Sequence, residues 1–91
     1  MHDGDNIIGR EPGATVHLDL PSVSRRHARI VVSPKDAVVE DLGSKNGTLL
    51  RNVRITSAVR LADLDEIRVG SVQLTMRILS GDVATQTTDS R

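Results

Sequence analysis

The run Glu66-Ile67-Arg68-Val69-Gly70-Ser71-Val72-Gln73-Leu74-Thr75-Met76-Arg77-Ile78 decides the fold class. On either side of Gly70-Ser71, apolar and polar residues alternate with a period of two, the pattern of a strand with one buried face. Gly70-Ser71 is a two-residue connection with glycine first, which favours a type II′ turn and hence an antiparallel hairpin.

Working outward from this hairpin, the same grammar recurs. Upstream, Asp63-Leu64-Asp65 is a turn, and before it Val59 and Leu61 face one way with Ala58 and Arg60 opposite. Thr48-Leu49-Leu50 and Val53-Arg54-Ile55 flank a turn at Arg51-Asn52, and Asn46-Gly47 is a strong turn dipeptide. The strand His27 to Val32 and the strand Ala37 to Asp41 are joined by the turn cluster Ser33-Pro34-Lys35-Asp36, which predicts a second hairpin. Nearer the start, Ile7-Ile8 opens a short strand ending at Gly9-Arg10, Glu11-Pro12-Gly13 turns the chain, and Val16-His17-Leu18-Asp19 alternates again. No segment has a helical period. Many short strands punctuated by turns predict an all-β sandwich of two mainly antiparallel, twisted sheets. Residues 5–79 are the expected domain. Residues 1–4 read as a turn or disordered start, part of a turn-like stretch reaching Asn6. Residues 80–91, with only Val83 and Ala84 as apolar groups, read as a disordered tail.

Composition narrows the functional classes. A chain of 91 residues holds one small core. Its formal net charge is zero, which removes the long-range argument for nucleic-acid binding. The absence of Phe, Trp and Tyr removes the stacking platforms that single-stranded nucleic acids use. With no cysteine, there is no disulfide or thiolate chemistry. No apolar run approaches the ~18 residues of a membrane span, and the first residues are no signal peptide. A cytoplasmic protein that engages neither membrane nor nucleic acid is the expectation. The basic residues are lopsided, with ten Arg against two Lys. Arginine's planar fork grips carboxylate or phosphate with two bonds, although a GC-rich genome favours the same bias.

Against that background the polar loop Leu20-Pro21-Ser22-Val23-Ser24-Arg25-Arg26-His27 stands out. Ser24 and His27 admit three readings: a hydrolytic pair, a metal ligand set with His2 and His17, or a turn beside a buried, hydrogen-bonded histidine. A spacing of three in extended chain puts the two side chains on opposite faces, and no strand-turn-helix elbow frames the serine. The histidines lack any close ligand spacing. Taken as a set, Arg10, Ser24, Arg25, Lys45 and Asn46 come from three separate loops that a sandwich can bring to one end. Guanidinium, hydroxyl and ammonium groups together suit a dianionic phosphate. No enzyme chemistry and no cofactor or metal is expected.

These residues carry a resemblance. Gly9-Arg10, Ser24-Arg25-Arg26-His27 and Gly43-Ser44-Lys45-Asn46-Gly47-Thr48 resemble, in order and spacing, the signature of forkhead-associated (FHA) domains, over about Asp5 to Leu79. The resemblance implies a β-sandwich that binds phosphothreonine-containing partners in Ser/Thr kinase signalling through loops at one end. It further implies that Arg10 and Ser24 contact phosphate, that Arg25 adds a phosphate or peptide contact, and that Asn46 hydrogen-bonds the bound peptide's backbone. Gly9, His27 and Gly47 are implied to be architectural. Lys45 stands where some members have Thr, and is assigned an auxiliary electrostatic role at the phosphate. Ser22 and residues 51–54 are expected to read the partner's residues beyond the phosphothreonine.

Two further expectations concern the ends of the chain. The family's first strand normally precedes a stretch like Asp3 to Asn6, so the sandwich is expected to lack an edge strand, and an open edge permits self-association. The tail threonines Thr85, Thr87 and Thr88 are open to a kinase, either as an inert terminus or as an intramolecular switch. A rival from another class is a structural sandwich used for phosphate-independent assembly.

Overall fold

Period-two alternation becomes two five-stranded sheets in the computed structural model, which describes residues 1–79 and 82–89. In chain order the strands are β1 (Gly4–Gly9), β2 (Val16–His17), β3 (Ala28–Val32), β4 (Ala37–Asp41), β5 (Thr48–Leu50), β6 (Val53–Arg54), β7 (Val59–Arg60), β8 (Glu66–Val69), β9 (Val72–Leu79) and β10 (Asp82–Asp89). One sheet has the order β2-β1-β3-β4-β7, the other β10-β9-β8-β5-β6. Every pairing is antiparallel except β1 with β2. The described residues contain no helix.

The inward positions are those the alternation picks out. Ile8, Ile30 and Val39 from one sheet meet Ile67, Val69, Leu74 and Met76 from the other, all buried. With no aromatic ring available, the core is filled mainly by branched aliphatics, with Ala28, Ala37 and one methionine; branched side chains suit pleated surfaces and methionine suits irregular gaps. The expected hairpins form. Val69 pairs with Val72 across Gly70-Ser71, and Gly70 has φ +60° while Ser71 does not take positive φ, as a type II′ turn requires. Arg51 (φ 50°) and Asn52 (φ 67°) are both left-handed, the signature of a type I′ turn between β5 and β6. The β3–β4 turn is closed by Ser33, whose N–H donates to Asp36 O at 2.9 Å.

Both ends of the chain depart from expectation. Residues 4–6, expected in a turn, belong to β1, where Gly4 pairs with Val32 and Asn6 with Ile30. The cause is Asn6 itself: its fully buried amide donates to His2 O, Gly4 O and Ile30 O at 2.8, 3.1 and 3.3 Å and accepts from His2 N–H at 3.2 Å. A turn-forming residue thus sits inside a strand because its side chain caps the backbone around it. In place of a disordered tail, residues 82–89 form β10, whose backbone covers the edge of β9 from Asp82↔Leu79 to Asp89↔Gln73, with an irregularity between Thr87 and Asp89. Period-two hydrophobicity is weak there; backbone pairing with β9, the buried Val83 and the Met1 amine donating to Val83 O at 2.8 Å hold the strand instead. Residues 80, 81, 90 and 91 of that stretch lie outside the described residues.

Candidate functional site

Strand polarity brings the three singled-out loops to one end. β1 finishes there at Gly9 and β3 starts there, so His27 N–H donates to Ile8 O at 2.9 Å and Arg10 N–H to Ser24 O at 3.0 Å. The approach is close enough that a Cβ on Gly9 would sit 2.1 Å from Arg25 O. Only glycine lets the first loop pass under the second.

His27 locks the second loop to the third. It is fully buried; its Nδ1 accepts from Ser24 N–H at 3.0 Å and its Nε2 lies 2.7 Å from Gly47 O. Because Nδ1 is an acceptor and a carbonyl faces Nε2, the proton sits on Nε2. Both ring nitrogens are used in bracing. His27 is therefore not free to act as a base toward the Ser24 hydroxyl, and the geometry of this pair does not support its hydrolytic reading. The described residues contain no cluster of His, Cys, Asp and Glu able to hold a metal.

The third loop is built by Asp41, which the sequence reading places at the end of a strand without giving it a role. Asp41 accepts from Gly43 N–H and Ser44 N–H at 3.0 Å each, from Ser44 Oγ at 2.5 Å and from Thr48 Oγ1 at 2.8 Å. Burial pushes this carboxyl up, but the four donors outweigh it and hold Asp41 below the usual aspartate range. Ser44 Oγ also accepts from Gly47 N–H at 2.9 Å. The signal was present in the spacing: an Asp followed after two residues by Ser is a side-chain-closed turn.

Two bonds then join the second loop to the third at the rim. Lys45 N–H donates to Ser24 Oγ at 3.0 Å, and Asn46 Nδ2 donates to Ser22 O at 2.8 Å. Ser22 is itself fixed by the β8–β9 turn, through Ser71 Oγ at 2.9 Å and Ser71 N–H at 3.0 Å. Ser44 stands in the motif and Ser71 in the predicted turn, but the sequence reading gives neither a bracing role. Arg10 is steered by a bond from Nε to Val23 O at 3.1 Å.

What this leaves open is a row of donors. The terminal nitrogens of Arg10 make no bond among the described residues; nor do the exposed side chains of Arg25 and Lys45. Ser24 Oγ accepts from a backbone amide, so its O–H remains to donate. Asn46 keeps one N–H and its carbonyl oxygen. Gly9, Arg10, Ser24, Arg25, His27, Lys45, Asn46 and Gly47 thus share one end of the sandwich. Of the residues expected to read the partner, Arg51 is drawn away: its Nε and a terminal nitrogen each bond Asp65 at 2.8 Å. Arg54 stays at the rim, its Nε 2.8 Å from where a Gly47 Cβ would be.

Comparison with known proteins agrees with this architecture. The family model for the FHA domain matches residues 6–70. The FHA domain-containing protein FhaB of Mycobacterium tuberculosis is 38% identical over 71 residues, 78% of this chain and 46% of that protein; the chain thus spans about half the length of this relative. A solved structure from a structural and functional analysis of phosphothreonine-dependent FHA domain interactions superposes with a TM-score of 0.83 at 38% identity, covering 87% of this chain and 81% of the other. Mycobacterium tuberculosis EmbR in complex with a low-affinity phosphopeptide gives a TM-score of 0.82 at 38% identity, over 90% of this chain and 22% of EmbR. A family match across more than half of the sequence, on two sheets whose loops meet as described, places this chain in the FHA domain family.

Proposed function

We propose that this domain is a reversible reader of phosphothreonine in protein partners of Ser/Thr kinase signalling, and that it binds rather than catalyses. The observation that carries the reading is the rim of unsatisfied donors: Arg10, the Ser24 hydroxyl, Arg25 and Lys45 come from three loops already braced by His27, Asp41 and Ser22. A preorganised set of cationic and hydroxyl donors suits the three acceptor oxygens of a phosphate dianion. The remaining amide capacity of Asn46, at the lip of the same rim, suits a peptide backbone. The relatives studied with phosphothreonine and phosphopeptide ligands support the same assignment.

Each charge-assisted hydrogen bond of this kind is worth roughly 1.5–3 kcal/mol. Arg10→Ala should therefore weaken a phosphothreonine peptide by about 10- to 150-fold. The test compares one peptide, phosphorylated and not, on wild type and Arg10→Ala by calorimetry, because the chain lacks Trp and Tyr for fluorescence. Equal affinity for the two peptide forms would replace this reading with phosphate-independent assembly.

A further inference from the structure

The arginines of this molecule are sorted by whether they have a partner. Arg26, Arg29, Arg51, Arg60 and Arg77 all face a carboxylate. Among the described arginines the four without an acidic partner are Arg10 and Arg25, which the proposed function assigns to phosphate, and Arg54 and Arg68, to which it gives no role. Lys35, in the turn at the opposite end, is likewise without one.

Arg54 and Arg68 share a row. Leu49 on β5 pairs with Arg54 on one side and Arg68 on the other. Burial alternates along β5 and β8, with Thr48, Leu50, Ile67 and Val69 buried. Leu49 and Arg68 therefore face outward, and directly opposed residues share a face, so Arg54 joins them. Neighbouring side chains in such a row are about 5 Å apart, which separates the two guanidinium stems by about 10 Å. Arg54 folds back over Gly47, so the row begins where the phosphate loops end. Glu66, two residues along β8, makes no ion pair with Arg68.

Unpaired cations on an outer sheet face, continuous with a site for a charged group and separated by one half-buried leucine, have the chemistry of a surface for an acidic strand. We infer that Arg54 and Arg68, on either side of Leu49, select partners that carry aspartate or glutamate close in sequence to the phosphothreonine. The inference rests on the proposed function. An extended peptide advances about 3.3 Å per residue, so acids some three residues apart match the two arginines, within about six residues of the phosphothreonine. Side chains on this row set specificity for the flanking residues rather than affinity for phosphate.

The test is capture of a degenerate peptide library, fixed only at a central phosphothreonine, on the 91-residue chain. Wild type should enrich Asp and Glu at one or more flanking positions. The Arg54→Gln, Arg68→Gln double variant should still capture phosphothreonine peptides but without that enrichment. A matched pair of selected peptides, Glu against Gln, should differ by about two- to five-fold per contact on wild type at low ionic strength, and by less at high salt. The pair should not differ on the double variant. A wild-type selection without acidic enrichment, or one that survives in the double variant, overturns the inference and leaves phosphothreonine recognition standing. Failure of wild type to capture any library peptide removes both.

Discussion

His27 shows how one side chain can hold a binding surface without touching what is bound. It satisfies Ser24 N–H and Gly47 O from inside the protein, so replacing it removes two buried partners and opens a cavity. His27→Ala should cost about 3–5 kcal/mol, summing the cavity and the orphaned polar groups, readable as a lower denaturation midpoint in far-UV circular dichroism. Gly9 acts by absence. Gly9→Ala places a methyl carbon 2.1 Å from Arg25 O, and separating the two loops should cost about 1–3 kcal/mol while displacing Arg10 from Ser24. Its NMR fingerprint should change at residues 9–11 and 24–26 and stay put in β8 and β9; a spectrum unchanged around Arg25 would contradict the close approach.

At the scale of elements, the hairpin β5–β6 and the edge strand β10 teach opposite lessons. The hairpin has a type I′ turn without glycine, held because Arg51 bonds Asp65 with both arms of its fork. The edge strand is held by backbone pairing with β9, the buried Val83 and the Met1 amine. Ending the chain at Leu79 should cost about 1.5–3 kcal/mol, the burial of one valine. It should also bare the edge of β9, so that self-association appears in analytical ultracentrifugation, while phosphopeptide affinity stays within about two-fold, well under the ~1.4 kcal/mol of a tenfold change. A large loss of affinity would mean that β10 supports the loops. What the sequence made legible follows the same division. Alternation is local, so β3, β4, β8 and β9 and their turns could be read directly, and the motif residues of the loops came with them. The pairing of β10, the burial of Asn6 against a carbonyl 24 positions away and the capture of Arg51 by Asp65 are non-local. No pattern in a single stretch reports them. Lys45 was foreseen for its side chain, yet its backbone N–H makes the bond to Ser24, a contact that side-chain chemistry does not announce.

Over the whole molecule, acid should be the sensitive direction. Asp65 resembles Asp41: burial raises its carboxyl, but Arg51 and the Ala62 N–H outweigh it and leave it below the usual range. A carboxyl held lower in the folded state than in the unfolded chain stabilises the fold above the unfolded value, near 3.9, and loses that contribution as pH falls through the folded value. Denaturation midpoints should therefore be flat from neutral pH down to about 5 and fall below about 4. Asp41→Asn should lower the midpoint at neutral pH and flatten the acid limb; an equally steep limb in that variant would exclude Asp41 as a source.

The direction in which the strands run has a practical corollary. β1 starts far from the loops and arrives at them with Gly9, while β10 runs antiparallel to β9 and carries Asp89 toward Gln73, beside the β8–β9 turn that fixes Ser22. Anchoring the domain to a sensor surface at the start of β1 therefore presents the loops outward, whereas anchoring it at the end of β10 brings the surface to their side. Apparent affinities measured in the two orientations should differ, with the attachment at β1 matching values in free solution.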